Sequence, residues 1–186
     1  MARFGHSQSY QVLDEIAKVM PREVWNITAT LLGPPIDGTA YALQSWLQGE
    51  SFFGSAANVD SILSHIPLEN LWQWVDEDIE KRAWYISSFA PKTLSGGPSI
   101  TRELLVRYGD RDDVRSNLTA TYQSEGWVGS SVAHYKQKKE RFAELLKTET
   151  NENVRRWLSE YVDELDHLVE RFTIEEERDD FHNPPV

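Results

Sequence analysis

Cysteine is absent from all 186 residues. Disulfides and cysteine-ligated zinc are therefore excluded. No apolar run approaches the ~20 residues that a membrane-crossing helix needs, and residues 1–6 hold no apolar signal core. These absences predict a soluble, cytoplasmic protein without membrane contact. Catalytic and nucleotide signatures are missing as well. There is no Gly-x-x-x-x-Gly-Lys-Ser/Thr loop, no Gly-x-Gly-x-x-Gly fingerprint and no Gly-x-Ser-x-Gly elbow. The five histidines are scattered, and no His-x-x-x-His pair occurs. One Glu-x-x-His motif, Glu164 to His167, stands alone, whereas a di-iron bundle uses two such motifs and two further glutamates. It reads as a solvent-facing helix position. No catalytic residue, metal ligand or cofactor is expected.

Positive charge is also in short supply. Nineteen Lys and Arg face thirty Asp and Glu, for a formal net charge of −11. That balance repels phosphate and argues against nucleic acid as a partner. Lys136, Lys138, Lys139, Arg141 and Lys147 form a local basic group, read as one solvated helix face. Two Asn-x-Thr sequons, at Asn26 and Asn117, fall in expected helices and read as chance.

What the chain has is helical periodicity and large aromatics. Seven each of Trp, Tyr and Phe are enough to build real cores. Apolar residues recur at three- and four-residue steps, and alternating strand-type runs are hard to find. A first helix is expected over residues 9–20, with Val12, Leu13, Ile16 and Val19 on one face. A second carries Val24, Trp25, Ile27, Leu31 and Leu32 and stops at Gly33. A third starts near Asp37. Residues 48–58 read as a Gly/Ser-rich loop whose Phe52 and Phe53 either tuck into a core or form a contact patch. A short helix over residues 59–65 follows. Further helices are expected at 68–75, 81–89, 100–108, 114–122, 132–147 and from 153 to at least 174, with a tail over 181–186. Residues 94–98 (Leu-Ser-Gly-Gly-Pro) are the best boundary, dividing N-terminal helical repeats or a cap (1–94) from C-terminal repeats (99–181). The whole reads as one continuous array. Ser130 and Ser131 are placed to cap the long helix after them.

A repeat runs through the second half. Residues 109–118 (Gly-Asp-Arg-Asp-Asp-Val-Arg-Ser-Asn-Leu) give a polar turn, then Val-Arg, then Leu three residues after the Arg. The pattern returns 40 residues later in residues 149–158 (Glu-Thr-Asn-Glu-Asn-Val-Arg-Arg-Trp-Leu). A weaker copy, residues 76–83, lies upstream. Turn acids favour the positive end of the following helix, and the Arg can reach back to them as a clamp. Arg82, Arg115 and Arg155 are thus expected to be structural first.

The polar turn followed by Val-Arg resembles the inter-helix turn of HEAT repeats, over about residues 68–168. The later part, from Trp127 through the Trp157 helix to the Glu-rich end, also looks like the C-terminal tail of some large multidomain bacterial proteins. The resemblance implies an all-α fold, a short right-handed α-solenoid of HEAT-like helix pairs. It also implies a non-catalytic scaffold or adaptor that offers an extended face to a protein partner. The alternative is a regulatory or sensor domain detached from a larger multidomain protein. The acidic surface favours a basic protein partner. Trp, Tyr and Arg dominate binding hot spots, so Trp72, Trp84, Arg115, Tyr122 and Trp157 are the candidate contacts. Residues 72 and 74 cannot share one narrow helical stripe, which makes one of those two tryptophans a candidate surface anchor.

Overall fold

A computed structural model describes residues 12, 15–32, 43, 47, 63, 65–92, 94 and 99–182, with side chains up to residue 178. Most of the expected third helix (residues 43 and 47 are helical), the 48–58 loop with Phe52 and Phe53, most of the 59–65 helix and the tail beyond residue 182 lie outside the described residues. Within them the secondary structure is helical and no strand occurs. The chain divides into two compact units, Met1–Leu104 and Leu105–Val186.

In the first unit, α1 spans Pro21–Leu31, α2 Leu68–Asp76 and α3 Ile79–Ser87. Val12 and residues 15–19 are helical too. Pro21 opens α1, where its missing N–H would have had no helical partner. Val24, Trp25 and Thr28 turn one side of α1 into the core. The Trp25 indole meets the Trp74 ring edge-on at 5.7 Å and donates its N–H to the Asn70 carbonyl at 3.2 Å. α1 therefore lies against α2. Two residues, Glu77 and Asp78, turn the chain from α2 into α3. α3 buries Ala83, Tyr85 and Ile86.

α4 covers Ile100–Tyr108 and contains the division between the units. In the second unit, α5 runs over Asp112–Gln123, α6 over Ser131–Thr148 and α7 over Glu152–His182. Val154, Trp157, Leu158, Tyr161, Leu165 and Leu168 bury one face of α7 at helical spacing. Tyr122 of α5 and Phe142 of α6 close on this row, with the Tyr122, Phe142, Trp157 and Tyr161 ring centroids 4.9–6.1 Å apart. Trp157 donates its indole N–H to Thr119 at 3.1 Å, which keeps its one polar atom satisfied in the core.

Among the described residues, glycine is required twice. A Cβ on Gly109 would stand 2.3 Å from the Leu105 carbonyl oxygen and 3.0 Å from Asn153 Cβ, so the turn between α4 and α5 closes only without a side chain. Gly129 has φ +103°, a conformation that costs other residues strain. It precedes Ser130, the N-cap of α6, whose hydroxyl accepts from the Ala133 N–H at 3.1 Å. The capping role read from the sequence thus falls to Ser130, while Ser131 is the first helical residue.

Candidate interaction surface

The repeated arginines come first, because they explain how each helix pair is held. Arg115 Nη1 donates to the carbonyls of Gly109 and Asp110 at 3.0 and 3.1 Å. Its Nη2 and Nε reach Asp112 and Glu160, each at 2.8 Å. Forty residues on, Arg155 Nη1 donates to the carbonyls of Leu146 and Glu149 at 3.2 and 2.9 Å. Arg82 Nη1 repeats the move toward the Trp74 carbonyl and the Glu77 carboxylate, both at 2.6 Å. In all three turns the Arg of the second helix donates to backbone carbonyl oxygen in the last turn of the first helix or in the turn that follows it. The side chains are clamps, as their position after a polar turn leads one to expect.

That role removes Arg115 from the candidate contacts. Its side chain is buried and its hydrogen-bond donors are turned inward. Tyr122 and Trp157 are buried in the aromatic core of the second unit. Trp72 is buried in the first unit, and so is Trp74. The surface anchor expected from their spacing is absent because α2 is covered over a wide arc. Leu71, Trp72, Trp74 and Val75 are all buried, and the Arg82 guanidinium lies 4.6 Å from the Trp74 ring. A side chain inside a core offers no area to a partner, so of the five candidates only Trp84 is presented, with 40% of its surface exposed.

In the basic group on α6, Lys136, Arg141 and Lys147 are exposed as a solvated face requires, and Lys138 departs from it. Lys138 is largely buried, donating to the Tyr122 carbonyl at 2.6 Å and pairing with Glu125. Lys139 pairs with Asp166, and Lys147 with Glu144 at 2.5 Å. Glu125 also lies 3.1 Å from His134 Nε2, whose ring stacks on Trp127 at 4.8 Å. Glu176, far along α7, accepts from the Ser130 hydroxyl at 2.9 Å and the Val132 N–H at 3.2 Å. A carboxylate at the positive end of α6 is favourable, and this one ties the outer half of α7 to the start of α6. Glu164 and His167 both face solvent. Among the described residues, no group of three or more His, Asp or Glu side chains is placed to hold a metal ion.

Electrostatic perturbations are modest and structural. Burial pushes the Tyr161 hydroxyl far above its usual range, and Glu125 adds to the effect. Burial likewise raises Tyr85, and it raises Tyr135 together with Glu125. A hydrogen bond from Arg111 holds Asp113 below the usual carboxylate range, and one from Lys81 does the same for Asp78.

The surface signal that sequence reading missed is apolar. Eight of the ten exposed large apolar side chains among the described residues belong to the first unit. Six of them lie between residues 12 and 31: Val12, Ile16 and Val19 on the helical segment before Pro21, Ile27 and Leu31 on α1, and Met20 between the two. Val19 is 80% and Ile27 67% exposed. Val12, Ile16 and Val19 share a face at i, i+4, i+7 spacing, as do Ile27 and Leu31 at i, i+4. Met20 lies between the two helical segments with an extended, non-helical φ of −131°. Its N–H donates to the Ile16 carbonyl at 2.8 Å, and its carbonyl accepts from the Val24 N–H at 3.1 Å. An apolar helical stripe ordinarily faces the core. In α1 the exposed Ile27 and Leu31 lie beside the buried Val24, three and seven residues before them, so the apolar surface of this helix is wider than the part that is packed.

No family model, curated protein or solved structure matches the chain.

Proposed function

We propose that the chain is a non-catalytic protein-interaction module, a scaffold or adaptor whose helix pairs hold an apolar surface in place for a protein partner. The observation that carries this reading is the set of six exposed apolar side chains on either side of Pro21, Val12, Ile16, Val19, Met20, Ile27 and Leu31. Exposed apolar surface of this extent marks an interaction site on a protein that must stay dispersed in water. Trp84, half-exposed in the same unit, is the residue type most enriched where contacts are strong. The excess of acidic residues supports a basic rim on the partner, which speeds encounter more than it adds affinity. The HEAT-like solenoid arrangement belongs to the same proposal. It is supported by the arginine clamp that recurs at Arg115 and Arg155.

A regulatory or sensor domain of a larger multidomain protein is the alternative. The same side chains favour it, because a neighbouring catalytic domain would cover such a surface. Affinity capture with the tagged chain, read by mass spectrometry, tests the main reading. A stoichiometric protein partner retained by the wild-type chain and lost from Ile27→Glu and Trp84→Ala baits is the expected result. Equal recovery from all three baits would remove these side chains and Trp84 from the account.

A further inference from the structure

We draw no further inference here: the strongest candidate, the cluster of Glu125, His134 and Lys138 beside Trp127 where the α5–α6 loop meets α6, carries nothing, because its polar groups are taken up by one another and nothing among the described residues points to a ligand there.

Discussion

Replacing Arg115 by methionine removes a clamp without removing bulk, and the cost follows from its four partners. Two are backbone carbonyls, Gly109 and Asp110, at 3.0 and 3.1 Å. Bonds from a charged donor are worth about 1.5–3 kcal/mol each, and a buried acceptor left open costs a comparable amount. The two carboxylates contribute less. Asp112 is almost fully exposed and Glu160 about half exposed, so each pair is worth roughly 0–1 kcal/mol. Against this, the guanidinium no longer has to be desolvated. The balance is a loss of about 2–4 kcal/mol. Urea unfolding followed by circular dichroism measures it as a lower midpoint with an unchanged slope. Arg115→Lys should recover less than half, because one ammonium cannot span two carbonyls on one side and two carboxylates on the other. A loss below about 0.5 kcal/mol for the methionine variant, or full recovery with lysine, would refute the clamp.

Three further outcomes follow from single sites. Tyr161 holds its hydroxyl in the core without a hydrogen-bond partner, so Tyr161→Phe should leave stability at pH 7 unchanged or raise it by about 1 kcal/mol. Because the folded protein resists ionising this group while the unfolded chain ionises near pH 10, stability falls as pH rises through that value. The phenylalanine variant should lose less in an alkaline melt series. Gly109→Ala drives a methyl into the Leu105 carbonyl at 2.3 Å and should cost about 1–3 kcal/mol in thermal unfolding. Asp113 is held below the usual carboxylate range by Arg111, so its contribution is present above the unfolded value near 3.8 and fades as pH falls through the folded one. Asp113→Asn should therefore be slightly less stable than wild type at pH 7, with the difference shrinking as pH falls below 3.8.

The helices were legible because their punctuation is local. The 100–108 helix is found with the expected bounds. α5 and α6 differ from expectation by a residue or two at their ends, since Asp112 and Asp113 belong to the first turn of α5 rather than to the loop before it. The arginine clamps were legible too, because donor and turn lie within ten residues of each other. What a single helix does not encode is how wide an arc its neighbours cover. Spacing set Trp72 and Trp74 on different sides of α2 but could not tell that both sides are packed. The same gap concealed the exposed apolar side chains. Val12, Ile16 and Val19 were visible as one face, and only the placement of Ala17, Val24 and Trp25 in the core leaves that face outside it. Glu176 capping α6 joins residues more than forty apart, and nothing in either segment announces the other.

The central claim is that residues 12–31 are covered by protein when the chain is at work. Carbene footprinting tests this directly, by comparing dilute purified chain with the same chain expressed in its source cells. The account predicts strong labelling of Val19, Ile27 and Leu31 in the dilute sample and several-fold protection in the cell, with the buried Trp157 unlabelled in both. Equal labelling of these side chains in the two samples would contradict it.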